Sequence, residues 1–189
     1  SAVNSALSLN KQRQVTRSLM AQKAMRMTSV LSPSVNYGTS AIEAAYIAVA
    51  HTDVDADLRN MAGFVPTAEY GSRKTMSEFE CGSVESVRYM LTAEIEPWAD
   101  AGGSTSTMVS TSGSNADVYP VLYFGKEAFG CVPLKGKESV TPIVINPNNP
   151  SGADPLGQRG YVGWKTYYTA VVLNESWMQR LEVAVTDLA

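Results

Sequence analysis

Cysteine, histidine and charge are all scarce in this chain, and each scarcity removes a class of function. The two cysteines, Cys81 and Cys131, stand fifty positions apart with no Cys-x-x-Cys spacing. That excludes a zinc ribbon, a thioredoxin-type site and a disulfide scaffold, and leaves two free thiols in a reducing compartment. His51 is the single histidine, so any Ser-His-Asp or Cys-His mechanism has to run through it. No Gly-x-Ser-x-Gly elbow is present to hold a nucleophile. The longest purely apolar run, residues 44–50, is seven long, against the roughly 18 needed to span a bilayer. The chain begins at Ser1 without the apolar stretch of a secretory signal, and reads as a processed product or a piece of something longer. Charged residues make up 17%, below the roughly 25% of an ordinary soluble domain. A surface so lightly charged suits a protein partly covered by a partner, and the net charge of -3 argues against a duplex-binding protein with a dominant basic face.

What remains is ample for a core. With 189 residues, 44% of them hydrophobic, one domain can bury roughly 70% of the surface its unfolded chain exposes. Residues 8–28 lack Gly and Pro, carry apolar residues at spacings of three and four, and read as one amphipathic helix with Ser8 or Asn10 as its cap. Residues 46–50 read as a buried strand that turns at His51 into a short helix, because Val54, Leu58 and Met61 fall on one helical face. Residues 82–95 and 117–125 have strand patterns. The Gly/Ser/Thr-rich stretch 101–115 reads as a flexible, exposed loop, and residues 145–160, full of Pro, Asn and Gly, as a long irregular excursion. Residues 161–174 and 178–186 read as strands joined by an antiparallel return. Helices and strands mix without regular alternation, so the fold class is α+β. The whole chain, 1–189, is taken as a single domain: a leading amphipathic helix over 1–30, a body over 31–160 and return strands over 161–189.

Charge is segregated along the chain. The first 42 residues hold Lys11, Arg13, Arg17, Lys23 and Arg26 and no acid, while the remaining 147 hold ten basic and eighteen acidic side chains. The leading helix can therefore face the acidic rest of its own fold, a neighbouring copy or an acidic partner.

His51, Asp53, Asp55 and Asp57 form the densest polar cluster, and imidazole beside carboxylates is what an oxygen-and-nitrogen metal site or a hydrolase would use. A plainer account covers the same residues: Thr52 with Asp55 three later makes a capping box, Asp53 and Asp55 complement the helix dipole, and Asp55 pairs with Arg59 one turn on. Glu78 with Glu80, and Glu94 with Glu96, are paired carboxylates that read as solvated strand edges before they read as an acid and a base. The Gly130–Glu138 stretch has glycine and lysine but fails as a phosphate loop in spacing, and Glu138 would repel phosphate. Trp98, Trp164 and Trp177 lack interleaved basic residues and read as core or interface anchors. No catalytic residue, metal ligand or cofactor is assigned.

One further feature is carried by whole blocks of sequence. NYGTSAIEAAYIAVAHTDVDADLRNMAGFVPTAEYGS, then GSVESVRYMLT, DVYPVLYFGKEAFGCVPLKG, and TPIVINPNNPSGADPLGQRGYVGWKTYYTAVVLNESWMQRLEV resemble, in order and spacing, the major coat proteins of N4-type tailed bacteriophages. The resemblance runs from about Leu9 to Thr186. It implies an HK97-like major capsid fold, here the axial domain with part of the peripheral domain and without the N-terminal arm, extended loop and spine helix. It implies a structural, non-enzymatic role: a subunit made in the cytoplasm of a host bacterium that self-assembles into the icosahedral shell of the virion. Its partners would be further copies of itself, packaged double-stranded DNA held non-specifically, decoration and portal proteins, and no membrane. Arg13, Arg17, Lys23 and Arg26 become candidates for intersubunit or DNA-facing contacts. Pro155, Leu156, Gly157, Gln158, Arg159 and Gly160 become a candidate intersubunit loop. The alternatives are a metal-dependent hydrolase using His51, Asp53 and Asp55, and a ligand- or receptor-binding module presenting Ser104 to Ser114.

Overall fold

The computed structural model describes residues 3–32, 38–133, 140–150, 152 and 154–188. In chain order the elements are α1 (Leu9–Ala21), β1 (Met27–Ser32), β2 (Gly38–His51), a 3₁₀ turn (Thr52–Val54), α2 (Asp55–Arg59), β3 (Phe64–Pro66), β4 (Glu80–Val84), β5 (Val87–Thr92), β6 (Tyr119–Phe124), β7 (Phe129–Pro133), β8 (Val140–Ile145), β9 (Tyr161–Thr166), β10 (Tyr168–Val172) and β11 (Met178–Val183). The fold is α+β, mostly sheet with few helices. The chain forms two compact units. The first comprises Ser1–Ala128 with Asn174–Ala189, and the second Phe129–Leu173.

The first unit is built on a seven-stranded sheet of order β11-β6-β2-β5-β4-β3, with β1 paired to β2. β2 and β5 run parallel, and the other pairs are antiparallel. The register puts Tyr46, Ala48 and Ala50 of β2 on the same face as Val87 and Tyr89 of β5 and Tyr123 of β6, and all are buried. This face forms one apolar core with Val121 and Val183, and with Val15 and Leu19 of α1. Strands with period two and a helix with period 3.6 have thus each turned their apolar side to the same layer.

α1 is shorter than its sequence pattern. The apolar repeat continues to Met27, but the helix stops at Ala21. Lys23 takes the left-handed conformation at φ 58°, its N–H donates to Met20 O and the Ala24 N–H donates to Leu19 O. This is a Schellman closure made without glycine, and it frees residues 27–32 to run as β1. Residues 82–95 likewise do not form one strand. Glu85, at φ 52°, turns the chain, and Val84 pairs with Val87 across a β4–β5 hairpin.

The two C-terminal strand segments do not return on each other either. β11 pairs with β6, where Val183, Leu181 and Gln179 stand opposite Tyr119, Val121 and Tyr123. Asn174 closes the junction by donating its N–H to Ala128 O and accepting from the Ser176 N–H, and a 3₁₀ turn over Glu175–Trp177 leads into β11.

The second unit consists of two antiparallel ribbons, β8 with β9 and β7 with β10. The excursion between β8 and β9 is irregular, as expected. Gly157, at φ 62° and against the Asn148 backbone, accepts from the Asn148 N–H at 2.6 Å, and Asp154 Oδ2 accepts from the Arg159 N–H at 2.8 Å.

Candidate functional site

His51 ends β2 and caps the 3₁₀ turn itself: its Nδ1 accepts from the Asp53 N–H at 3.1 Å. The expected Thr52–Asp55 capping box does not form. α2 begins after Val54, which offers no side-chain cap, because the imidazole already holds the first turn and leaves Thr52 exposed. The three aspartates then diverge. Asp53 accepts the Tyr119 hydroxyl at 2.9 Å, beneath a tilted His51–Tyr119 ring contact. Asp55 pairs with Arg59 Nε at 2.8 Å, as its spacing indicated, and accepts the Cys81 thiol at 2.8 Å. Asp57 is buried and accepts both the N–H and the hydroxyl of Thr186.

Among the described residues, no three His, Cys, Asp or Glu side chains are placed to share a metal ion. Burial, then the Asp55 carboxylate, push the Cys81 thiol up to about 12, so it sits protonated as a donor. Burial raises Asp55 in turn, but Arg59 and Cys81 outweigh it and hold the carboxyl below its usual range. These are the features of a braced helix start.

Of the paired carboxylates, Glu94 and Glu96 are exposed as expected, while Glu80 is buried. Glu80 accepts from Tyr70 Oη at 2.7 Å, the Met76 N–H at 2.6 Å and Arg88 Nη1 at 3.4 Å. Arg88 is buried too, donates to Lys74 O at 2.8 Å and lies over the Tyr70 ring. A second buried polar group joins α1 to the sheet: Gln12 Nε2 donates to Val84 O, its Oε1 accepts from Tyr89 Oη at 2.7 Å, and the Tyr89 and Tyr123 hydroxyls meet at 2.9 Å. Burial, with Tyr123 beside it, drives the Tyr89 hydroxyl well above its ordinary range. Sequence reading missed both groups. Their one signal is polar side chains alternating through strands whose other positions are apolar.

Residues 101–115 are tied at both ends. Asp117 is buried and accepts from the Asp100 and Thr111 N–H groups and from the Thr111 hydroxyl. Asp100 accepts from the Ser110 hydroxyl and from the Ser112 N–H and hydroxyl.

The basic residues of the leading segment separate by role. Arg13 pairs with Glu85 at the β4–β5 turn. Arg26 lies over the Tyr46 ring, and Arg17 and Lys23 are exposed. In the loop Pro155 to Gly160, Gly157 is buried and the other five residues are exposed. Trp177 is half-buried and donates to Gln22 O, while Trp98 is exposed beneath Arg180. Residues 134–139, which include the latter part of the phosphate-loop-like stretch, lie outside the described residues.

In the second unit every described side chain of β9 and β10 is exposed. Val162 is 86% and Trp164 72% exposed, so large apolar side chains stand where a lone ribbon has nothing to pack on. Two-stranded ribbons are marginal in water by themselves.

No protein-family model and no curated protein matches this sequence. Among solved structures, the capsid of Ralstonia phage GP4 is similar over 97% of this chain with a TM-score of 0.55 and 14% identity. The chain has a phage-capsid-like fold. It spans about half the length of that neighbour, 48%. None of the described helices is long and apolar enough to cross a membrane.

Proposed function

We propose that this chain is the shell-forming part of a major capsid subunit of a tailed double-stranded DNA phage. The observation that carries the reading is the capsid-like fold across 97% of the chain. The blocks that resemble N4-type coat proteins support the finer assignment to an HK97-like axial domain with part of a peripheral domain. A structural role also suits a unit whose exposed ribbons present Val162, Trp164, Tyr168 and Val172 to solvent, because exposed apolar surface of this kind marks a protein contact. The subunit is made in the host bacterial cytoplasm, joins copies of itself in the virion shell, encloses DNA without reading its sequence, and meets portal and decoration proteins. The role proposed is structural and not enzymatic.

The test is native particle mass, by light scattering and negative-stain microscopy, for this chain and for the product that includes all upstream coding sequence. Closed shells from the longer product support the reading. A soluble longer product that never assembles over a range of salt and pH, and that carries stoichiometric metal, overturns it in favour of the His51 cluster.

A further inference from the structure

The sheet of the first unit is electrostatically polar from end to end. At one end lie the last residues of β2 and β5, the start of β6 and the finish of β11. Asp53, Glu94, Glu96, Asp100 and the buried Asp57 and Asp117 all gather there; of the cations beside them, Arg59 is taken by Asp55 and Arg180 by Glu182, and Lys11 donates to Ser5 next to Ala184. At the other end, α1 crosses from the β4–β5 turn, where Arg13 meets Glu85, to the β6–β11 junction, where Gln22 O accepts from Trp177 and Met25 O from the Lys126 N–H.

Glu43, Glu85 and Glu127 at this second end each face their own cation, Arg73, Arg13 and Lys126. That leaves Arg17, Lys23 and Arg26 as an excess over Glu175. The two ends are separated by about five strand steps, roughly 17 Å, beyond the ~8 Å Debye length at physiological salt. The two poles therefore do not neutralise each other within one molecule.

Each pole also carries partly exposed apolar surface. Met20 is 49% and Met25 45% exposed among the cations, and Trp98 is 43% exposed with Arg180 over its ring. Flexible methionine and a broad indole are side chains suited to protein contacts. The acidic pole of another copy offers the charge that complements the basic pole, and the methionines suit a protein surface better than a phosphate backbone, so the occupant favoured is a second copy of this chain.

We infer that copies associate head to tail, with the basic pole around Arg17, Lys23 and Arg26 seated on the acidic pole around Glu94 and Glu96 of the next. Such a contact is heterologous. It propagates through successive copies and closes into a ring when the rotation per step divides a full turn. The inference deepens the shell-subunit reading by assigning two complementary surfaces, but it rests on charge placement that is present whatever the shell geometry.

The experiment measures self-association of this chain by sedimentation equilibrium at low salt and at 1 M NaCl, where the Debye length falls to about 3 Å. The variants are Arg17→Glu with Lys23→Glu, Glu94→Lys with Glu96→Lys, and all four together, each checked for wild-type thermal unfolding. Association at least tenfold stronger at low salt, lost in each two-site variant and regained in the four-site variant, is the expected result. The inference is overturned by absence of salt-dependent association at tenths of a millimolar chain. It is equally overturned if the four-site variant fails to recover, or if Arg17→Glu with Lys23→Glu abolishes binding to a short DNA duplex while leaving self-association intact. None of these results bears on whether the longer product builds shells, so the two readings fail separately.

Discussion

Glu80 and Arg88 face each other at 3.4 Å with both side chains out of solvent, and through them residues 70–80 are pinned against the sheet. The carboxylate takes the Tyr70 hydroxyl and the Met76 N–H, and the guanidinium takes the Lys74 carbonyl. Neither charge has water to fall back on if its partner is removed.

Glu80→Gln and Arg88→Met are each expected to destabilise the fold by about 3–5 kcal/mol, the usual cost of stranding one member of a buried ion pair. Urea unfolding followed by tryptophan fluorescence measures this. The double variant is expected to recover only part of the loss, because the Lys74 carbonyl loses Arg88 as its donor and the amide that replaces the Glu80 carboxylate accepts less strongly from the Met76 N–H and the Tyr70 hydroxyl. Full additivity of the two single losses would show that the pair is not coupled.

Asp117 supplies a pH dependence. Burial raises its pKa, but the N–H donors of Asp100 and Thr111 and the Thr111 hydroxyl outweigh burial and hold it below the ordinary aspartate range. A carboxyl depressed in the folded state stabilises above its unfolded pKa, and that contribution is lost as pH falls through the folded value. Residues 100–115 are therefore expected to stay docked at neutral pH and to loosen below about pH 4. Amide exchange at Thr111 and Ser112 reads this, and Asp117→Asn should bring the same faster exchange at pH 7. Exchange at these amides that is flat from pH 7 to pH 3, after correction for the intrinsic rate, would contradict the assignment.

The two thiols should separate in reactivity. Burial and the Asp55 carboxylate hold Cys81 near 12, which reduces its thiolate fraction at pH 8 by on the order of a thousandfold relative to a free cysteine. Cys131 is exposed. Iodoacetamide followed by peptide mass spectrometry is expected to label Cys131 in the native protein and to leave Cys81 until denaturant is added. Asp55→Asn should raise the labelling of Cys81, because it removes a carboxylate that opposes ionisation of the thiol.

Much of the architecture was legible because it rests on periodicity. The change from strand to helix at His51, the β6 strand and the irregular excursion after Ile145 all follow from patterns that burial enforces. The errors fall where a turn was made without its usual residue. Lys23 and Glu85 adopt left-handed conformations that sequence reading reserves for glycine or asparagine, so a helix was drawn through one and a strand through the other.

The pairing of β11 with β6 was hidden for a different reason. Proximity in sequence favours a hairpin between residues 161–174 and 178–186, but β10 is committed to β7. Glu80 looked solvated beside Glu78 because nothing local announces Arg88, which reaches it only once the β4–β5 hairpin has closed. The charge segregation of the first 42 residues was plain in the sequence, but its placement at one end of the sheet required the path of α1.

The Asn174 N–H bonded to the Ala128 carbonyl sets a schedule for synthesis. The sheet of the first unit is interrupted after β6 by the whole of the second unit, residues 129–173, and resumes only with β11. During translation β6 therefore waits with one edge open and Tyr119, Val121 and Tyr123 short of their final neighbours, until the residues beyond Asn174 have emerged. An apolar edge exposed for the time taken to make some fifty residues is an opening for premature pairing between nascent chains. Slow elongation through residues 129–173 would lengthen that exposure, so codon choice within the insert becomes a determinant of soluble yield.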